Sequence, residues 1–173
     1  MREVVGLDPS LRASGLALPD GSLMTIRNES ASSLGARVER LRRIIGEVGH
    51  TVGAGRLVVI EGPAFGMGNK ATHELGGLWW LLAYRLTQLD NQLVVVGIQQ
   101  LKKLATGKGN ATKADMRVSW LRRTGQDVAD DNQCDAAWLR QAGLHLLGSP
   151  DAVPLPKVHL DALTLVELPE GVR

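Results

Sequence analysis

Val4-Val5-Gly6-Leu7-Asp8-Pro9-Ser10 is a short apolar run closed by an acid and a turn. Such a run reads as a buried strand that ends on Asp8. Working outward, Leu16–Leu18 and Leu23–Ile26 read as two further strands, joined by the hairpin turn Pro19-Asp20-Gly21. From Leu34 to Val48 the apolar residues Leu34, Val38, Leu41, Ile44, Ile45 and Val48 recur at helical spacing. Ser32 or Ser33 can cap that helix. Leu57-Val58-Val59-Ile60 is a second clear buried strand, stopped by Glu61-Gly62-Pro63. A Gly-rich loop leads to a helix over 72–89, then a strand over Leu93–Val96. The loop Gly107-Lys108-Gly109-Asn110 precedes a helix from Thr112 to Arg123, and a last helix runs from Asp131 to Leu147. Prolines 150, 154 and 156 end helical structure, and Val158–Leu168 reads as a strand. Three meandering strands followed by alternating helices and strands give an α/β fold, a mixed sheet with helices on its faces.

The chain has 173 residues, 44% hydrophobic and 22% charged, enough for one domain with a real core. That domain spans 1–149, with 150–173 as a tail of the same domain. Cys134 is the only cysteine, so an intrachain disulfide and a CxxC zinc site are both excluded. A reducing compartment is expected. No secretory leader and no membrane-length apolar run is visible, and a soluble cytoplasmic protein follows. The net charge of +2 announces no polyanion partner, but its distribution does. Between Gln100 and Arg123 stand Lys102, Lys103, Lys108, Lys113, Arg117, Arg122 and Arg123 against Asp115 alone. Phosphate is the natural partner of such a segment.

Asp8 closes the first strand, Glu61 closes the fourth, and Asp135 lies early in the last helix behind Asp130 and Asp131. Strands that end at one sheet edge bring their last side chains together. Carboxylates gathered without bases repel one another and are costly to desolvate. A divalent cation relieves both costs. Oxygen ligands without a His or Cys pattern suit Mg2+ or Mn2+. Taken singly, each acid also has an ordinary reading: Asp8 as a turn former, Glu61 as a strand terminus, Asp131 as a helix cap.

The sequence resembles the RuvC family of Holliday-junction resolvases. The resemblance rests on Val4–Ser10 with Ser14-Gly15-Leu16, on Val58-Val59-Ile60-Glu61, and on Asp131-Asn132-Gln133-Cys134-Asp135-Ala136-Ala137. It also covers Leu101-Lys102-Lys103 with Gly107, Gly109 and Lys113, and the helix that follows Leu75-Gly76. It spans about residues 3 to 147. It implies a ribonuclease-H-like five-stranded sheet, three antiparallel strands followed by parallel ones, in a nuclease domain over 1–149. It implies two Mg2+ ions per site, replaceable by Mn2+, held by Asp8, Glu61, Asp135 and one further acid. It implies hydrolysis of phosphodiesters to a 5′ phosphate and a 3′ hydroxyl, and a homodimer that makes paired symmetric nicks in a four-way junction. Many members carry an acid three residues before the final Asp, where this chain has Asn132. Asp131, one helical turn before Asp135, is taken as the fourth acid, with the Asn132 carbonyl as the alternative.

Lys102, Lys103, Lys108 and Lys113 are expected to contact phosphates, since Gly107 and Gly109 let backbone approach a strand closely. Phe65, in the Gly-rich loop after Glu61, is expected to stack on an unpaired base. The helix bearing Trp79, Trp80 and Leu82 has little polar face, which points to a dimer through Leu75–Leu86. The short, atypical form suggests a phage source, with the host cytoplasm as its location. Other readings stay open: a non-cleaving relative that binds branched DNA, a nuclease for flaps or RNA–DNA hybrids, and an ATP-binding fold that shares the sheet.

Overall fold

The computed structural model describes residues 2–63 and 70–172. Strands β1 (Val4–Asp8), β2 (Ala13–Ala17), β3 (Leu23–Arg27), β4 (Leu57–Glu61) and β5 (Gln92–Val96) form a single sheet in the order β3-β2-β1-β4-β5. β1 pairs antiparallel with β2, and β2 with β3, while β1–β4 and β4–β5 are parallel. The mixed sheet expected from the element order is the one observed.

Alternation along the central strands divides the interior in two. Val5, Leu7, Val58 and Ile60 face α1 (Leu34–Val52) and α2 (Lys70–Gln88). Val4, Leu57 and Val59, with Val94 and Val96 of β5, face α3 (Ile98–Thr106), α4 (Lys113–Thr124) and α5 (Asp131–Leu146). Trp138 of α5 is fully buried there, edge-on to Trp120 of α4 with ring centroids 5.5 Å apart. Ser33, one of the two expected caps, begins α1 by accepting from the Ala36 N–H at 3.2 Å.

α5 lies across β1, β2 and β4 and touches main chain directly. A Cβ on Gly6 would sit 2.0 Å from the Ala136 carbonyl oxygen, and one on Gly15 would sit 2.0 Å from that of Asn132. Only glycine allows this approach.

Two elements differ from the sequence reading. α3 was not expected: Leu101, Leu104 and Ala105 are buried at helical spacing, and the Gln100 side chain accepts from the Gly97 N–H at 2.9 Å. Val158–Leu168 is not a strand. It contains part of a short helix, α6 (Lys157–Leu160), and a 3-10 turn over Asp161–Leu163. Its buried residues His159, Ala162 and Leu163 follow a three-and-four spacing that no strand shares. The tail packs on α3, where the His159 Nδ1–H donates to the Leu104 carbonyl at 2.7 Å.

Candidate active site

β1 and β4 run parallel with Leu7 opposite Ile60, so Asp8 and Glu61 occupy the next step at the same sheet edge. By the alternation of their strands both lie on the face covered by α5. Asp8 is paired with Gly15 of β2. The missing side chain at Gly15 admits the first turn of α5, which brings Asp135 to this edge. The turn is held by Asp130, not Asp131. Asp130 caps α5 by accepting from the Gln133 N–H at 2.9 Å, and its other oxygen accepts from Thr25 at 3.0 Å and Arg27 at 2.7 Å, both on β3.

Asp8 is 9% exposed and Asp135 2%. Burial, then the nearby Glu61 and Asp135, push the Asp8 carboxyl well above its ordinary range, against the pull of Lys113. Burial and Asp135 push Glu61 up to about 7. Burial also raises Asp135, opposed by Lys113 and reinforced by Asp131. Three acids from distant parts of the chain therefore act on one another electrostatically. Asp131 stands exposed one turn before Asp135. Half-buried Asn132 has its Cβ over Gly15, beside the Asp8 position.

The lysines divide into two groups. Lys113, the first residue of α4, points its ammonium inward, with Nζ 2.6 Å from Asp135 Oδ2. Lys102 on α3 stabilises the charged forms of Glu61 and Asp135. Lys108 faces elsewhere, into an open groove of about 630 Å3 that it shares with Arg122, Arg123 and His159. Lys103 is half-buried in the last turn of α3. Phe65 lies outside the described residues.

Trp79, which the sequence offered only as part of an apolar helix, makes a contact here. Its Nε1–H donates to the Glu61 carbonyl at 2.8 Å, tying α2 to the strand end that carries the acid. With Asp8, Glu61, Pro63 and Leu75 it lines a notch of about 40 Å3. Cys134 is buried, which with the Asp135 charge pushes its thiol up to about 12, so it is no nucleophile.

All-oxygen donors, mutual repulsion and scarce solvent fit a hard divalent cation. The side chains are not closed into a cage: among the described residues no group of three or more His, Cys, Asp or Glu is gathered to hold an ion. Positive charge at Asp135 comes instead from Lys113.

On the opposite face, Trp79 and Leu82 are core residues, so the apolar excess of α2 falls on other positions. Trp80, Leu81 and Tyr84 of α2 are exposed, as are Leu34 and Val38 of α1. Glu74 of α2 fastens the two helices through Arg37, at 2.8 Å, and Arg40. No helix among the described residues is long and apolar enough to cross a membrane.

No protein-family model matches the chain, and no curated protein matches it by sequence. Solved structures do. Thermus thermophilus RuvC in complex with Holliday junction substrate superposes with a TM-score of 0.64 at 20% identity, over 90% of this chain and 100% of that one. A second Thermus thermophilus RuvC structure gives 0.59 at 22% identity, over 88% and 99%. Since that RuvC is spanned end to end, length gives no reason to favour a phage source. With its strand order, its helices on both faces and its acids at one edge, the chain has the ribonuclease-H-like fold that RuvC has.

Proposed function

We propose that this protein is a metal-dependent endonuclease that resolves four-way DNA junctions by paired nicks, leaving 5′ phosphate and 3′ hydroxyl ends. The observation that carries the reading is that Asp8 and Glu61 end adjacent parallel strands on one face, where burial and the charge of Asp135, with that of Glu61 on Asp8, push their carboxyls upward. Asp8, Glu61 and Asp135 would hold Mg2+ or Mn2+, completed by Asp131 or by the Asn132 carbonyl. Two such ions per site would supply the Lewis acidity for activating water and stabilising the departing 3′ oxygen. The protein's own share is orientation. Trp79 holds the Glu61 main chain, Asp130 sets the first turn of α5, and Lys102 favours ionised acids.

The basic residues of α3, α4 and the loop between them would receive the DNA backbone, with Lys102, Lys103, Lys108 and Lys113 as phosphate contacts. Phe65 would stack on an unpaired base. Trp80, Leu81 and Tyr84 would form the centre of a homodimer interface that presents two sites to a four-way junction. Junction specificity is favoured by the RuvC structure bound to a Holliday junction.

The test is a nicking assay on four-way, flap, RNA–DNA hybrid and linear duplex substrates, with and without Mg2+. Wild-type protein should cut the four-way junction symmetrically only with the metal. Asp8→Asn should lose at least about a thousandfold in rate, roughly 4 kcal/mol of transition-state stabilisation, while still binding the junction. Unchanged cutting by Asp8→Asn would end the site assignment. Preferential cutting of flaps or hybrids would move the substrate and keep the site.

A further inference from the structure

Lys113 has a geometry that phosphate binding does not explain. Its Nζ lies 2.6 Å from Asp135 Oδ2, and its side chain is 49% exposed while that of Asp135 is 2% exposed. The lysine thus reaches into the acid cluster with one end and keeps an open route to solvent. Its backbone is fixed by a cap, in which the Thr112 hydroxyl accepts from the Asp115 N–H at 3.2 Å and Asp115 Oδ2 accepts from the Thr112 N–H at 2.9 Å. Only the flexible four-carbon stem need move for the ammonium to leave.

We propose that Lys113 is an internal counter-cation, which holds the carboxylate cluster until a divalent ion displaces it and a DNA phosphate takes up its ammonium. This rests on the metal-nuclease reading above and adds an order to it. An ammonium at 2.6 Å and a divalent ion at about 2.1 Å cannot share one face of a carboxylate oxygen without strong repulsion. Metal and Lys113 therefore compete for Asp135. A backbone phosphate near the mouth of the site offers the ammonium a second acceptor and draws it off. DNA and metal then bind with positive coupling, each raising the affinity for the other by the same factor. The remaining charges around the site are Asp8 on β1, Glu61 on β4, Asp131 on α5, Lys102 on α3, and Asp130, which is paired with Arg27. Of the two lysines, only Lys113 forms an ion pair with the cluster. The arrangement leaves the free protein poorly loaded with metal.

The experiment measures Mn2+ binding to the full chain by electron paramagnetic resonance of the free ion, so no turnover is needed. Lys113→Met keeps the stem and removes the charge. Without DNA it should bind Mn2+ about tenfold more tightly than wild type, equivalent to about 1.4 kcal/mol. An uncleavable four-way junction, after correction for Mn2+ held by the DNA alone, should tighten Mn2+ binding to wild type by a similar factor and to Lys113→Met by much less. Lys113→Gln, which keeps a neutral donor for Asp135, serves if Lys113→Met does not fold. Equal or weaker Mn2+ binding by a folded Lys113 variant overturns the displacement proposal and leaves the nuclease reading standing. Failure of both wild type and variant to bind Mn2+, with or without DNA, overturns both.

Discussion

The two faces of the sheet break opposite rules. On the α5 face, Asp8 and Asp135 are buried carboxylates, while on the α1–α2 face Trp80, Tyr84, Leu34 and Val38 are large apolar side chains left in water. Buried charge and exposed apolar area are the two departures from ordinary burial that carry information. In the function proposed above, a cation would complete one face and an apolar partner the other. One sheet joins the two, because Glu61 ends β4 on the acid face while its carbonyl accepts from Trp79 of the opposite layer.

The comparison can be broken from either side. Gly15→Val should have the largest effect, because its Cβ would lie 2.0 Å from the Asn132 carbonyl. Lifting α5 should cost about 3 kcal/mol or more of stability and separate Asp135 from Asp8. Chemical denaturation reads the first effect and the nicking assay the second. Wild-type values in both would show that α5 does not depend on this contact. On the other face, Trp80→Asp combined with Tyr84→Ser should shift the protein to monomer in sedimentation, at about 2 kcal/mol or more of association energy. Monomer stability should change by less than about 1 kcal/mol, since these side chains are already solvated. A wild type that is itself monomeric would remove the symmetry of the proposed nicks.

The smallest effect is a slope. Glu61 in the folded protein is pushed up to about 7 from an ordinary 4.5. Between those values the folded state keeps a proton that the unfolded state has lost. The contribution of Glu61 to stability is therefore greatest below about 4.5 and declines as pH rises toward 7, by up to about 1.4 kcal/mol per pH unit for one proton. Asp8 and Asp135 act in the same direction. Saturating Mg2+ should flatten the decline by stabilising the ionised acids. Denaturant titrations across this range, with and without Mg2+, check both statements. A slope that Glu61→Gln leaves unchanged would contradict the electrostatics described.

The strand ends were legible because apolar runs stop abruptly at Asp8 and Glu61, and both ends hold in the structure. The parallel order followed from the alternation of strands and helices. What escaped depended on contacts distant in sequence. Asp130 rather than Asp131 caps α5 because Thr25 and Arg27 of β3 are there to hold it. Trp79 and Trp80 are adjacent in a run apolar on nearly every side, so the pattern carries no phase to say which faces inward. α3 was hidden by shortness and by the Lys102-Lys103 pair, although Leu101, Leu104 and Ala105 carry its period. The Lys113–Asp135 contact joins helices whose relative placement no local spacing reveals.

α5 meets the sheet through main-chain atoms at Gly6 and Gly15, and this has a consequence for how the protein can vary. At the acid edge the height of the helix above the strands is set by the peptide contacts at Gly6 and Gly15, while farther along α5 Gly143 lies against the Val4 and Val59 side chains. A larger residue at Gly6 or Gly15 would push the helix outward and carry Asp135 away from Asp8 and Glu61, so these two positions admit the least change. The molecule carries its own spacer at the acid edge, made of what two residues lack.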